Sequence, residues 1–522
     1  MFVKNTLVPN NHFLSKINKL AIPSLLLAGL VLALGGCNKS SSSTVSEPCV
    51  SCTIDSSGIT SGTAEGSTAT GYNADDLVEN STFSNVVTID FGSTITITNP
   101  LSTNGVTITQ SNGAVIINSS ASGVEYQLSG LTTNGSVKIY SSNLFKLTLN
   151  GINITNANGP AINIQSSKKA FIVLADNTIN SLTDGTTYVT STENMNGTVF
   201  SEGQMIFSGN GTLSVTGNYK YGIVSDDYIR IRSGNINIAN ALSDGIHTTN
   251  AFIADGGYLT LTAQANGINC EAGYIIINGG TYILNPVNDA ITASYTGTSS
   301  VITPYVTVNG GNFTIKSTTG AGVESKSALT INNATISANT TTDGLYGGTA
   351  VYINSGSNIY CYSTGSNAME SGGTFTITGG KVIGVAKLSA KAGIYCGART
   401  FKITGGEVIG TGGVTSAPSA TASTVHSVIL GSGSAIEIIH FETADATEAL
   451  TFLAPQAYST LLFASAKLKA GTAYNVYFGG TAAGISFNGL YLQGAYYKVN
   501  TKSSSFTTSS IVTQAGGTIS TN

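Results

Sequence analysis

Gly267-Ile-Asn-Cys-Glu-Ala-Gly-Tyr-Ile-Ile-Ile-Asn-Gly-Gly-Thr-Tyr-Ile-Leu284 contains one complete structural phrase, and the chain repeats it. A small residue and an apolar one open it, an alternating strand follows, then a tight turn and a second alternating strand. The opening recurs at Gly222-Ile223, Gly245-Ile246, Gly267-Ile268, Ala290-Ile291, Gly322-Val323, Gly344-Leu345, Ala368-Met369 and Gly393-Ile394. The turns follow at Ser233-Gly234, Gly256-Gly257, Gly279-Gly280, Gly310-Gly311, Asn333-Ala334, Ser355-Gly356, Gly379-Gly380 and Gly405-Gly406. Spacing is 22–26 residues, with one longer unit before Gly311. A fixed period of this size marks a solenoid. Period-2 strands without any helical stretch make it all-β, a right-handed parallel β-helix.

Aligned on the turns, the pairs Ile229/Ile231, Phe252/Ala254, Ile275/Ile277, Val306/Val308, Leu329/Ile331, Val351/Ile353, Phe375/Ile377 and Phe401/Ile403 point inward. After the turn, Ile236/Ile238, Leu259/Leu261, Tyr282/Leu284 and Phe313/Ile315 form a second inward wall. Each such side chain contributes roughly 1.5–3 kcal/mol when fully buried. Asn278, Asn309, Asn332 and Asn354 recur two residues before successive turn positions, as an asparagine ladder would. Cys270 and Cys396 fall in an inward small-residue slot, too many coils apart to form a disulfide.

The outward residues form columns. Asp244, Asn266, Asp289, Asp343 and Asn367 stand just before the openings. Beside them run His247, Asn269, Thr292, Glu324, Tyr346, Glu370 and Tyr395. Amides and carboxylates bond hydroxyls, and rings stack on the C–H face of a sugar, so this mixture suits a polysaccharide. His247, Asn269, Glu324, Tyr346, Glu370 and Tyr395 are the candidate carbohydrate contacts. Asp or Asn before Gly is also ordinary turn chemistry. Carboxylates at this density could hold Ca²⁺, which takes six to eight oxygen ligands.

Charged residues are only 9% of the 522, the net charge is −4, and no basic run exists, which excludes a nucleic-acid partner. No zinc-ligand spacing appears among six Cys and four His. Nothing asks for a second subunit, and a monomer is expected. Lys4, Lys16 and Lys19 precede an apolar run at residues 20–34, which ends in Leu34-Gly35-Gly36-Cys37. That is a signal peptide over 1–36 of bacterial lipoprotein type, with Cys37 lipidated and the protein anchored at the cell envelope, on the outer membrane or cell surface. Residues 37–75 are Ser/Thr/Gly-rich and read as a flexible tether, with a local disulfide expected between Cys49 and Cys52. The β-helix is expected over 76–415. Past Gly410 the period fails, and strands at 425–430, 435–441, 449–453, 461–464 and 474–478 suggest a small all-β cap over 425–515. A cap is needed because bare strand edges invite aggregation.

Several stretches resemble the bacterial carbohydrate-binding domain-containing proteins. They are Leu147-Thr-Leu-Asn-Gly-Ile-Asn-Ile-Thr-Asn156, Gly159-Pro-Ala-Ile-Asn-Ile164, Asn180-Ser-Leu-Thr-Asp-Gly185, Val199-Phe-Ser201 and Gly209-Asn-Gly-Thr-Leu-Ser-Val-Thr-Gly-Asn218. Ala457-Tyr-Ser459 and Leu468-Lys-Ala-Gly-Thr-Ala-Tyr474 continue the resemblance, which covers roughly 85–515. It implies a pectate-lyase-like β-helix at the cell surface, associated with calcium and with plant cell-wall polysaccharides, pectic or cellulosic. Members of this kind are regarded as adhesins or binding proteins. The calcium residues it carries over are Asp226, Asp227, Asp244, Asp289 and Asp343. The paired acids usual in successive coils survive only at Ser225-Asp226-Asp227, and Tyr221, Ala321 and Ala392 stand where an opening Asp is usual, so fewer calcium sites are implied.

Two other functions compete with binding. A lyase on this fold needs a Lys or Arg base beside calcium. Arg230 and Arg232, expected to face outward near Asp226 and Asp227, and Lys326 near Glu324 are the candidates; the third arginine is Arg399. A bare structural spacer would need no outward tyrosines, whereas the complete absence of Trp weighs against a crystalline-cellulose platform.

Overall fold

The computed structural model describes residues 50–397, 400–498 and 501–520. The signal peptide, Cys37 and Cys49 lie outside them, as does Arg399. The described chain is a parallel β-helix of three walls. The front wall holds thirteen strands, from Val106–Ser111 to Ile394–Cys396. Along it Ile223, Ile246, Ile268, Ile291, Val323, Leu345, Met369 and Ile394 are register partners in unbroken succession. All eight are fully buried. The stacking follows from composition: a small residue at each opening lets the coils approach, and the apolar residue after it meets its own kind above and below.

The second wall stacks Phe252, Ile275, Val306, Leu329, Val351, Phe375 and Phe401 in the same way. The third stacks Ile236, Leu259, Tyr282, Phe313, Ile336, Ile359, Val382 and Val408. The Tyr282 and Phe313 rings lie 4.6 Å apart and nearly parallel. Between the second and third walls the chain turns through Gly257, Gly280 and Gly311 at φ of +88°, +103° and +104°, left-handed conformations that favour glycine.

The stretch 37–75, expected as a flexible tether, is ordered where described. Val50–Ile54 pairs antiparallel with Leu490–Tyr497. Residues 60–72 then run as a strap along the outside of the second wall. The asparagine ladder holds it. Asn309 donates to Asn278 (2.8 Å), Asn332 to Asn309 (2.7 Å) and Asn354 to Asn332 (2.7 Å). The second amide hydrogen of each of these four points outward, to the carbonyls of Thr70, Ala69, Ser67 and Glu65 at 2.8–2.9 Å. Over residues 60–72 the polar composition conceals backbone carbonyls that the ladder satisfies.

The C-terminal strands lie near their expected places, at Ser427–Leu430, Glu437–Glu442, Glu448–Ala454, Thr460–Ala464 and Ala473–Phe478. Thr460–Ala464 pairs antiparallel with the end of Phe401–Gly412, which ends the coil stack. A seven-stranded sheet that includes Val50–Ile54 packs Phe441, Leu450 and Phe452 against Ile383, Val385, Ile409 and Phe463 of the coil stack. It therefore also roofs the outside of the third wall at its last coils. At the other end, two antiparallel hairpins, Asn85–Phe91 with Ile95–Thr98 and Val106–Ser111 with Ala114–Ser119, close the stack. Among the described residues no helix is long and apolar enough to cross a membrane.

Candidate functional site

The strap covers the outer face of the second wall, whereas the C-terminal sheet covers the third wall only at its last coils and leaves Tyr258, Thr314 and Ser337 exposed. On the second wall Ile253 and Ile276 point away from the core yet are only 4% and 1% exposed, because the strap lies over them. Arg230, expected to face solvent near Asp226 and Asp227, is buried beneath the same strap. Its guanidinium forks onto Asp255 at 2.7 and 2.8 Å and reaches Asp76 at 3.3 Å and the Gly71 carbonyl at 2.6 Å. Arg232 makes a bidentate pair with Glu79, both contacts 2.7 Å. These arginines fasten the strap and the turn after it, and a guanidinium held by two carboxylates is a poor base.

The front wall is open. Its outward column runs in register through His247, Asn269, Thr292, Glu324, Tyr346, Glu370 and Tyr395. Upstream the same column contains Phe200 and Val224, both buried though outside the interior core. Residues 188–196 fold back there, with Glu193 paired to Lys138 at 2.7 Å and hydrogen-bonded to Tyr140. The open stretch therefore begins at His247, although Asn269 and Thr292 within it are themselves buried.

The predicted aspartates do not converge on one centre. Asp226 accepts from Asn194, and Asp227 from Gln204 and Asn250, in a turn beyond the column. Asp244 is satisfied by His247 Nδ1 (2.9 Å), Asn269 Nδ2 (3.0 Å) and the Asn266 N–H (2.9 Å). Burial raises its pKa, but the bonds from His247 and Asn269 outweigh that and hold the carboxyl below its ordinary range. His247 also reaches Glu271 at 3.4 Å and stacks on the Tyr221 ring. This is a closed network.

Asp289, Asp343, Glu324, Tyr346 and Glu370 do come together. A groove of about 510 Å³ is lined by Asp289, Glu324, Lys326, Asp343 and Tyr346, with Asn266 at its edge. Lys326 Nζ lies 2.5 Å from Glu324 Oε1, and Thr292 donates to Glu324 Oε2 at 3.2 Å. Asn367 donates to Glu370 Oε2 at 2.6 Å. Burial and the neighbouring Glu324 push the Asp289 carboxyl well above its ordinary range. Burial, then the charge of Glu370, pushes Asp343 up to about 7.

The corner column has a structural task in most coils. The N–H of Asn266, Asp289, Ala321 and Ala392 donates to the side-chain oxygen of Asp244, Asn266, Asp289 and Asn367 respectively, at 2.7–3.2 Å. Asp343 departs from the pattern: its Oδ1 is buried without a hydrogen-bond partner. A buried carboxyl of this kind, facing a second acid, either keeps its proton or is met by a cation. Asp343 and Glu370 are the two acids here that could hold a cation such as calcium. No three of the predicted carboxylates bring their oxygens within 4.8 Å of one another, so the protein alone offers no complete cage among the described residues.

Asn288, Thr319 and Thr342, not singled out in the sequence, also line this groove. Their signal was faint, because Ser, Thr and Asn occur at nearly every turn of this chain.

A parallel β-helix with its second wall strapped over and a polar, ring-bearing front wall left uncovered defines a solenoid that presents a long outer surface. The chain belongs to the family of carbohydrate-binding domain-containing proteins, whose profile matches residues 111–390. A carbohydrate-binding domain-containing protein of Acetivibrio thermocellus is 33% identical over 118 residues, which are 22% of this chain and 41% of the relative. The match thus spans less than half the length of that relative. Among solved structures, a polysaccharide lyase-like protein from C. thermocellum, determined as a gadolinium derivative, aligns over 60% of this chain and 96% of its own. The identity is 20% and the TM-score 0.35.

Proposed function

We propose that the front wall binds an acidic polysaccharide of the plant cell-wall type lengthwise from His247 to Tyr395, without cleaving it. The observation that carries this reading is the groove at Tyr346. There a half-exposed ring sits between two acid pairs, Asp289–Glu324 and Asp343–Glu370, with Lys326 beside them. A ring face takes a pyranose, the lysine takes a carboxylate or hydroxyl, and the acids take hydroxyls or a shared cation. Calcium is the cation of choice for all-oxygen donors. Asp343 and Glu370 would hold it, the ion's remaining oxygens coming from water and the sugar. Lys326, the base candidate left by the burial of Arg230, is ion-paired with Glu324, which favours capture over elimination. Lipidation at Cys37 would place this surface on the cell envelope as an adhesin or substrate-capture protein.

A glycan array probed with and without a chelator tests the reading, with the same mixtures followed for unsaturated uronate products. Chelator-sensitive binding to pectic glycans without product is the expected result. Product formation would make the protein a lyase, and an array silent under every condition would leave it a spacer.

A further inference from the structure

Away from the front wall, the C-terminal sheet brings a sulfur, an imidazole nitrogen and a carboxylate oxygen together. One ligand atom from each of Cys52, His440 and Glu442 lies within 4.8 Å of the other two. All three residues are buried. His440 and Glu442 are two apart on the strand Glu437–Glu442 and so share a face. Cys52 arrives from the strand Val50–Ile54.

Hydrogen bonding around the imidazole sets its tautomer. Thr451 donates its hydroxyl proton to Glu448 Oε1 at 3.1 Å, and Glu448 is a carboxylate held by Lys467 at 2.5 Å. The threonine oxygen can then only accept from His440 Nδ1, 2.9 Å away. Nδ1 carries the hydrogen, and the lone pair of Nε2 faces the other two groups. Nε2 is 3.5 Å from Cys52 Sγ and 3.4 Å from Glu442 Oε2. Without a metal the Cys52 thiol hydrogen can fill the first gap. In the second, an imidazole lone pair facing a carboxylate oxygen calls for something positive between them. Donors around a tetrahedral zinc ion stand about 3.3–3.8 Å apart, given bonds of about 2.0–2.3 Å. Both measured separations fall in that interval.

The surroundings are those of a metal-ligand shell. Thr451 orients the ring through Nδ1, Lys498 holds Glu442 Oε1 at 3.0 Å, and Tyr496 stacks on the imidazole at 3.9 Å. A thiolate with an imidazole selects zinc over the oxygen-seeking calcium or magnesium.

We propose that Cys52, His440 and Glu442 form a structural zinc site that clamps the strand Val50–Ile54, and with it the start of the strap, onto the C-terminal sheet. Binding displaces the Cys52 thiol proton to solvent and changes no oxidation state. Water or a further protein donor would supply the fourth ligand.

The test uses the full mature chain purified without chelator or reductant. Elemental analysis should find one zinc per chain, and stripping it should lower Tm reversibly. Cobalt in its place should give a thiolate-to-cobalt charge-transfer band. Cys52→Ser and Glu442→Gln, each removing a direct ligand, should weaken zinc binding by more than the roughly ten- to hundred-fold that loss of an outer-shell partner costs. If a variant fails to fold, the cobalt spectrum of the unaltered protein decides alone. Metal-free protein that gives no band with cobalt, or a mass showing a Cys49–Cys52 disulfide in the native chain, overturns the proposal.

Discussion

Asn354 and Glu65 stand 289 residues apart in the chain and exchange two hydrogen bonds. The amide of Asn354 donates to the Glu65 carbonyl at 2.8 Å, and the Glu65 N–H donates back to Asn354 Oδ1 at 3.0 Å. The same amide also donates to Asn332 and accepts from the Thr378 hydroxyl. One side chain thus ties two coils and the strap into a single network, which is why an asparagine stands there.

Release of the strap should follow from breaking the ladder. Asn332→Ala leaves the Ser67 carbonyl and the Asn309 amide oxygen without their donor, and strips Asn354 of an acceptor. Each buried polar group so orphaned costs about 1–3 kcal/mol. The expected result is a lower Tm together with new protease cleavage within residues 60–72. Cleavage unchanged from the parent would show that the strap is held by other contacts.

The corner glycines give a sharper stability test. At Gly280 φ is +103°, and an added Cβ would sit 3.0 Å from the Gly257 carbonyl oxygen of the coil before. Gly280→Ala should destabilise by about 1–3 kcal/mol, read as a fall in the midpoint of denaturant unfolding. The natural alanine at Ala334 occupies the equivalent corner of another coil without positive φ, so Ala334→Gly should change stability by less than the Gly280 substitution.

The front wall was legible in the sequence because its signal is purely periodic. Ile246, Ile268 and Ile291 each follow a small residue at nearly equal intervals, and that spacing is the register observed. The outward column from His247 to Tyr395 followed from the same alignment. The strap was hidden because residues 60–72 carry little apolar surface and bind through backbone carbonyls, which no side-chain pattern reports. Its trace lay in the partner instead: Ile253 and Ile276 are outward-facing isoleucines that something had to cover. Arg230 was misplaced for the same reason, since its acid partners Asp76 and Asp255 belong to distant segments. Asp226 and Asp227 entered the calcium set only through the paired-acid motif of the family resemblance, and they fall past the end of the strand Tyr221–Ser225.

Stability should fall as pH rises through neutrality when calcium is withheld. The Asp343 carboxyl goes from its ordinary 3.8 up to about 7, and burial pushes Glu407 from 4.5 up to about 8. Between the unfolded and folded values the native state binds more protons than the unfolded chain, so the free energy of unfolding decreases with pH. In chelator, Tm should be higher near pH 5 than near pH 8. Asp343→Asn and Glu407→Gln should each flatten the profile on the alkaline side. Calcium added at pH 8 should raise Tm in the parent but not in Asp343→Asn. A calcium effect retained in that variant would place the ion elsewhere.

Ring and charge at the groove can be separated by two substitutions. Tyr346 is half-buried in the outward column between Glu324 and Glu370 and belongs to none of the apolar core clusters, so Tyr346→Ala should leave Tm nearly unchanged. Loss of a stacking face worth about 1–1.5 kcal/mol would weaken glycan binding roughly ten-fold. Lys326→Met keeps the aliphatic stem and removes the ammonium that sits 2.5 Å from Glu324. Its effect should appear only with acidic glycans and shrink as salt is raised, since a partly exposed charge is screened within about 8–10 Å. Titration calorimetry with a neutral and a uronate oligosaccharide of equal length reads both. If Tyr346→Ala bound each sugar as tightly as the parent, the ring column would not be the binding surface, and the open wall would have to recognise its partner through the amides and acids alone.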